Sequence, residues 1–337
     1  KYDYAFKQSD VDEYLKKILI EHRCQLPWIP YNEFKNIVKV GKGGFAVVHY
    51  ARWIDKSSNI EQSVALKTHH TYDTNQFIEE MKIYSKISEA NPSFLKCFGI
   101  SKDYKGKYVL VLEYAAIGSL SKNLYNISQM DWKKKLKVLH CIIFDLEAIH
   151  SQGYIHKDLH NGNILQNELD NAYIADLGLS SPLKNEDEGI VGVLPYIAPE
   201  ILDKGQYTTA SDIYSFGMIM WEILYGMSVS YNQKFAMPQL PIQICCNGLR
   251  PPINEKAPQC YVNLMKECWD KDPEKRPPAK KLCDIFNRWQ DDENILLELS
   301  RSETRIENIE KLHSSMFSGG SKFISKSILD VNSELQF

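Results

Sequence analysis

Val11, Leu15, Ile18, Leu19 and His22 recur at the three- and four-residue intervals of a helix, behind an Asp10-x-x-Glu13 start with capping-box spacing. Pro27 and Pro30 interrupt that pattern, because proline lacks a backbone N–H and biases its predecessor toward extended backbone. Residues 28–31 therefore read as an extended linker. Strands are predicted over 34–40, 47–53 and 63–67, the last two separated by the polar turn Asp55-Lys56-Ser57-Ser58-Asn59. The period becomes helical again at Phe77, Met81, Tyr84 and Ile87, and 108–113 is a continuous apolar run of the kind a buried strand carries. Beyond Gly118 the patterns are long and helical, including 136–150 and 212–225. The pattern is that of an α+β chain without internal repeats, strand-rich in its first half and helical in its larger second half. The stretch 291–316 is charged, with a sparse apolar stripe of Leu299, Ile306, Ile309 and Met316, and Ser318-Gly319-Gly320-Ser321 ends it. It predicts a helix and a flexible tail, with partner docking as the second use of the stripe.

Composition narrows the classes without choosing among them. The chain has 337 residues, 44% hydrophobic and 25% charged, enough for a substantial core in one large or two medium domains. A formal net charge of -3 supplies no general drive toward nucleic acid or an anionic membrane, and neither is an expected partner. Lys133-Lys134-Lys135 reads as a solvated basic face at a helix start. Eight cysteines are scattered with no zinc-type CxxC pair, and read as reduced, packed thiols. No apolar run approaches the ~20 residues of a membrane span and no secretory signal is visible. A cytoplasmic location is the expectation, with the chain, which starts at Lys1 rather than Met, read as a fragment.

Several residue groups carry chemistry. Gly41-Lys42-Gly43-Gly44-Phe45-Ala46-Val47-Val48 lies between two predicted strands, where bare backbone lets N–H groups approach phosphates; a plain hairpin turn is the competing reading. The next strand ends in Val64-Ala65-Leu66-Lys67, so a lysine stands opposite that turn. A buried phosphate-binding lysine needs a carboxylate to orient it. Glu80, three residues after Phe77 and four before Tyr84, shares their apolar face, whereas Glu79 does not. Further on, His156-Lys157-Asp158-Leu159-His160-Asn161-Gly162-Asn163 is followed after a short strand by Asp176-Leu177-Gly178. That spacing offers two carboxylates and an amide to one nucleotide-bound metal.

In order along the chain, the glycine-rich turn, Ala65-Leu66-Lys67, Glu80, the loop 156–163, Asp176-Leu177-Gly178 and Ala198-Pro199-Glu200 resemble the motifs of the eukaryotic-type protein kinase superfamily. The resemblance runs over 34–289. It continues in Ser211-Asp212-Ile213-Tyr214-Ser215-Phe216-Gly217 and in Trp269-Asp270 to Arg276-Pro277, and Trp221-Glu222-Ile223 looks most like the tyrosine-kinase-like group. It implies a bilobal kinase fold with an N-terminal helix and linker at 1–33, an N-lobe at 34–114, a C-lobe at 115–290, and a C-terminal helix and tail at 291–337. It further implies that Gly41, Lys42, Gly43, Gly44, Val48 and Ala65 enclose ATP, with Leu112 as gatekeeper and the Glu113 and Ala115 backbone on adenine. Lys67 paired to Glu80 would hold phosphates, Asp158 would deprotonate the acceptor hydroxyl, and Asn163 with Asp176 would bind Mg2+. Asp212 would brace the loop backbone and Arg276 would pair with Glu200.

Departures from the family pattern are Ala46 for the third glycine, Leu177 for phenylalanine, Lys157 for arginine, and His160 with Val193 where serine/threonine-specific relatives carry lysine and threonine. Lys157 keeps a cation but loses the planar fork that grips phosphate, and Glu186-Asp187-Glu188 is a candidate internal substitute for one, against the plainer reading of a solvated acidic loop. The expected function is an ATP- and magnesium-dependent protein kinase acting on a protein hydroxyl, with serine or threonine expected, and docking through the terminal helices. The alternative is a pseudokinase that signals by binding. Ala198-Pro199-Glu200 and the segment before it argue against a small-molecule kinase.

Overall fold

The computed structural model describes residues 13–21, 24, 26–44, 46–55, 60–70, 74–182, 189–229, 240–245 and 247–303. Asp10, Val11, His22, Phe45, 56–59, Glu186-Asp187-Glu188, Cys246 and the stripe beyond Glu303 lie outside them.

The N-terminal lobe is one antiparallel sheet backed by two helices. In chain order it contains α1 (Glu13–Glu21), β1 (Phe34–Lys42), β2 (Ala46–Asp55), β3 (Ile60–His69), α2 (Thr74–Ala90), β4 (Cys97–Lys102) and β5 (Tyr108–Glu113). The strand order is β1-β2-β3-β5-β4. Directly paired residues on neighbouring strands point to the same side of a sheet, and Val48 opposes Lys67 while Ala65 opposes Leu112. Residues alternate along β3, so Val48, Ala65, Lys67 and Leu112 share one face.

The N-terminal segment is held to the rest of the fold in two ways. Residues 27–29 are extended and pair with β4: Ile29 N–H donates to the Ile100 carbonyl at 2.8 Å, Ile100 N–H donates to the Pro27 carbonyl at 2.9 Å, and Trp28 bridges Ile100 in parallel. The segment lies along the open edge of β4, satisfying backbone groups that an edge strand would otherwise expose. The apolar face of α1 is buried in the main core. Leu15, Ile18 and Leu19 are buried in one cluster with Phe77, Met81 and Tyr84 of α2, each leucine contributing about 2 kcal/mol. The Cys24 thiol makes a hydrogen bond with Ser85 of α2.

The helical lobe begins with β6 (Gly118–Ser119), α3 (Leu120–Ser128) and α4 (Trp132–Ser151). Asp131 caps α4 by accepting from the Lys134 N–H at 2.9 Å. Lys133 and Lys134 are exposed as expected, but Lys135 is fully buried with its Nζ 4.7 Å from the Trp132 ring centroid. The first helical turn swings that third lysine inward, so the basic face has two members rather than three.

Short strand pairs then pin the loops: β7 (Tyr154–Ile155), β8 (Ile164–Gln166), β9 (Tyr173–Ile174) and β10 (Ser181–Pro182), with β8 between β6 and β9, and β10 against β7. After α5 (Pro199–Lys204) comes α6 (Thr209–Tyr225), which opens with a Thr208/Ser211 capping box and is buried from Ser211 to Leu224. A helix buried on all sides belongs at the centre of a lobe. The remaining helices α7 (Leu240–Cys245), α8 (Gln259–Cys268), α9 (Ala279–Asp291) and α10 (Glu293–Glu303) complete the lobe. Leu299 of α10 is buried in the main core, so the one described member of the C-terminal stripe is already covered. Seven described cysteines are free thiols, and no described helix is long and apolar enough to cross a membrane.

Candidate active site

The cleft between the lobes brings together Lys67 from β3, Glu80 from α2 and Asp176 from the loop after β9. Lys67 Nζ lies 2.5 Å from Glu80 Oε1 and 2.7 Å from Asp176 Oδ1. The Lys67 side chain is 5% exposed and that of Asp176 42%, so the aspartate is the open end of the trio. Burial by itself would strip the proton from Lys67, but Asp176 and Glu80 more than reverse it and raise its pKa. Burial alone would raise Asp176; the adjoining ammonium outweighs that and holds it at about 2. His69 Nε2 is 2.9 Å from Glu80 Oε2 but off the line of a hydrogen bond. Glu79, by contrast, is 63% exposed and pairs with Lys82 at 2.8 Å.

The glycine-rich turn carries no internal demand for glycine. A Cβ on Gly41 would sit 3.7 Å from the Val48 Cβ, one on Gly43 3.9 Å from the Ala46 carbonyl oxygen, and one on Gly44 would meet nothing within 4 Å. None of the three has a positive φ. Gly43 N–H donates to the Ala46 carbonyl at 2.9 Å, so Ala46 fits where the family has glycine. Lys42 is exposed on this turn.

At the back of the cleft, Leu112 and Ala115 are buried and Glu113 N–H donates to the Lys96 carbonyl at 2.8 Å. Asn167, which the sequence patterns missed, ties this connection to the helical lobe. Its Nδ2 donates to Glu113 Oε1 at 2.6 Å and its Oδ1 accepts from Ala116 N–H at 3.2 Å. Only the tertiary meeting of two loops gives that asparagine a role.

Below the cleft, Asn163 Nδ2 donates to the Asp158 carbonyl at 2.9 Å and to Asp158 Oδ2 at 3.0 Å. Asp158 Oδ1 is buried with no hydrogen-bond partner among the described residues. The Ala175 N–H donates to the Asn163 carbonyl at 2.8 Å, which seats Asp176 beside Asn163. Lys157 adopts φ +69°, a left-handed conformation that costs about 1–2 kcal/mol for a residue with a Cβ. Asp212 of α6 holds it there: Oδ2 accepts from His156 N–H at 2.8 Å and Oδ1 from Lys157 N–H at 3.0 Å. His150 Nε2 approaches the same Oδ2 at 2.9 Å.

A second buried carboxylate of α6, Glu222, holds the loop and the segment facing it. Its Oε1 accepts from Asn161 Nδ2 at 2.9 Å, Tyr196 OH at 2.6 Å and Val229 N–H at 2.8 Å. Burial pushes its carboxyl up to about 7 despite those donors. Arg276 grips Glu200 with both terminal nitrogens, at 2.6 and 2.7 Å. Leu177 is fully buried beneath Asp176 as an apolar plug, and Ser181 is buried in β10.

Two lobes, a bare-backbone turn, a lysine held by two carboxylates and an aspartate–asparagine loop together define a protein kinase domain. A model of the protein tyrosine and serine/threonine kinase family matches residues 34–286, and the chain belongs to that family. It is 29% identical over 320 residues to a putative serine/threonine-protein kinase/receptor of Acanthamoeba polyphaga mimivirus, covering 90% of this chain and 18% of the relative. A probable serine/threonine-protein kinase of Dictyostelium discoideum is 28% identical over 291 residues, 80% of this chain and 16% of its own length. The probable serine/threonine-protein kinase roco8 of the same organism is 33% identical over 234 residues, 64% of this chain and 12% of its own. The chain thus spans less than a fifth of each of these relatives.

Proposed function

We propose that the chain transfers the γ-phosphoryl group of ATP, with Mg2+, to a serine or threonine hydroxyl of a protein. The observation that carries this reading is Lys67, buried between Glu80 and Asp176, in the same cleft as the unpartnered Asp158 Oδ1. The glycine-rich turn supports it: its backbone N–H groups are uncovered by side chains, an arrangement that suits a bound phosphate. The resemblance to relatives named as serine/threonine kinases supports the acceptor class. His160 and Val193 depart from the usual pair near the acceptor, and the tyrosine-kinase-like affinity remains part of the proposal.

On this reading Val48, Ala65, Leu112 and the backbone of Glu113 and Ala115 enclose adenine, while Gly41, Lys42, Gly43 and Gly44 cover the phosphates. Lys67, oriented by Glu80, holds phosphate oxygens. Asn163 turns its Nδ2 toward Asp158, which leaves its Oδ1 for a cation, and the half-exposed Asp176 supplies the second oxygen ligand. Magnesium, when bound, neutralises charge on the phosphates. Asp158 Oδ1 accepts the acceptor hydroxyl's proton as its oxygen bonds to the γ-phosphorus and the bond to the β–γ bridging oxygen breaks, releasing ADP. Asn163 and Asp212 keep that carboxylate aimed.

Residues 34–290 would form the catalytic unit, flanked by 1–33 and 291–337, with a protein as substrate and a cytoplasmic setting. A pseudokinase would gain nothing from holding Lys157 in a strained conformation beside an unpartnered base. The test is incubation with Mg-ATP labelled at the γ-phosphate and a degenerate peptide set, with identification of the modified amino acid. Asp158→Asn should lower transfer at least about 100-fold while nucleotide binding persists. Full transfer by that variant would overturn the role of Asp158.

A further inference from the structure

Tyr207, in the connection between α5 and α6, has no part in holding nucleotide or metal or in moving the proton. Its hydroxyl donates to the Val191 carbonyl at 2.5 Å and accepts from the Val191 N–H at 2.8 Å. Both polar backbone groups of one residue therefore end on a single side-chain oxygen, a two-point tie that fixes the peptide planes on either side of Val191. Burial pushes the Tyr207 hydroxyl up to about 12, so it keeps its proton to donate throughout the neutral range. Lys157 Nζ lies 5.4 Å from the centroid of the Tyr207 ring, a cation on its aromatic face. The neighbour of Asp158 thus rests on the residue that anchors Val191.

The next residue, Gly192, abuts the proposed base. It has φ +105°, and a Cβ added there would stand 3.0 Å from the Lys157 carbonyl oxygen and 3.5 Å from Asp158 Oδ1. Glycine is required twice over, by backbone conformation and by space. The bare Cα forms one wall beside the unpartnered oxygen. The other end of the stretch is secured independently: Tyr196 N–H donates to the Val193 carbonyl at 2.9 Å and Tyr196 OH to Glu222. Residues 191–196 are held at both ends, with the near wall of the Asp158 site between the two anchors.

We propose that Tyr207 is a positioning residue for the phosphoryl acceptor, acting through Val191 to keep Gly192 beside Asp158 Oδ1 with room for one hydroxyl. The inference rests on the kinase reading of the cleft.

The experiment uses the full chain, shown by mass to be unphosphorylated, in two parallel reactions with Mg-ATP: transfer to a degenerate peptide set, and hydrolysis with water as acceptor. Tyr207→Phe keeps the ring under Lys157 and removes only the oxygen. The expected result is a fall of about tenfold in the ratio of peptide transfer to hydrolysis, carried by the KM for peptide, as loss of two hydrogen bonds implies. Gly192→Ala should lower the same ratio further. An equal loss in both reactions, which a merely structural tyrosine would give, overturns the proposal, and so does an unaltered ratio in both variants. A wild-type chain that performs neither reaction overturns the kinase reading itself, a result distinct from either.

Discussion

The two halves of the cleft are held by different physics. On the proposed nucleotide side, one buried ammonium meets two carboxylates, and full charges carry the geometry. On the proposed acceptor side, Asp212, Glu222 and the hydroxyl of Tyr207 hold the loops mainly by hydrogen bonds to backbone groups and neutral side chains. Charges reach across a gap between lobes, where the partners come from β3, α2 and the loop after β9. Hydrogen bonds act at shorter range and with stricter direction, which suits a loop that has to aim one carboxylate oxygen. The charged half is intolerant of losing a partner. The hydrogen-bonded half can be weakened in steps.

The largest break in this contrast should come from Lys67→Met, which leaves Glu80 buried without its cation. Chemical denaturation should show a loss of about 3–5 kcal/mol, and transfer should vanish with it. A stability close to wild type would mean that the trio does not hold the lobe. The charged side should also be flat in pH near neutrality. Asp176 is held low, so its contribution is present above the ordinary carboxylate range and is lost only as pH falls toward about 2. Lys67 is held high, so its contribution persists until pH rises beyond the ordinary lysine range.

A smaller effect should come from the acceptor side, where Glu222 titrates near neutrality. Its folded carboxyl keeps a proton up to about 7 against an ordinary value of 4.5, so the folded state binds the extra proton between those limits. Stability should therefore fall as pH rises through that window, with a slope of up to about 1.4 kcal/mol per unit from this group. Glu222→Gln removes the titration, and its unfolding free energy should lack that slope; identical pH profiles would place the ionisation elsewhere. The smallest effect sharpens the contrast within one helix turn. Glu79→Gln, at an exposed pair, should change melting and turnover by no more than about 0.5 kcal/mol equivalent. A loss comparable with that of Lys67→Met would show that Glu79, rather than Glu80, carries the charge balance.

Much of the N-terminal sheet is legible in the sequence because its patterns are local. The apolar run at 108–113 and the β-branched, aliphatic and aromatic runs at 47–53 and 63–67 mark strands, and the structure has β5, β2 and β3 there. Helical spacing alone separates Glu80 from Glu79, since a residue's face on a helix depends only on its place in the chain. β4 escapes the pattern because Gly99 interrupts it and the flanking lysines blur it. The pairing of Pro27 and Ile29 with Ile100 is equally hidden, because an edge contact with a strand some seventy residues away has no local signature. Lys135 is grouped with its two neighbours for a related reason: a run of like charges does not reveal which member the helix turns inward.

Residue order and chemical type were enough to set the family, the strand-then-helix arrangement and the identity of the groups proposed to bind phosphate, metal and a proton. These depend on covalent spacing and intrinsic side-chain chemistry, which folding does not alter. Folding alone decided that α1 buries its apolar face in the main core, that Asp158 keeps one oxygen without a partner among the described residues, and that Asn167 and Tyr207 become anchors. Each of those outcomes is a contact between segments distant in the chain, and such contacts are settled by register, packing and the satisfaction of buried polar groups across the whole fold.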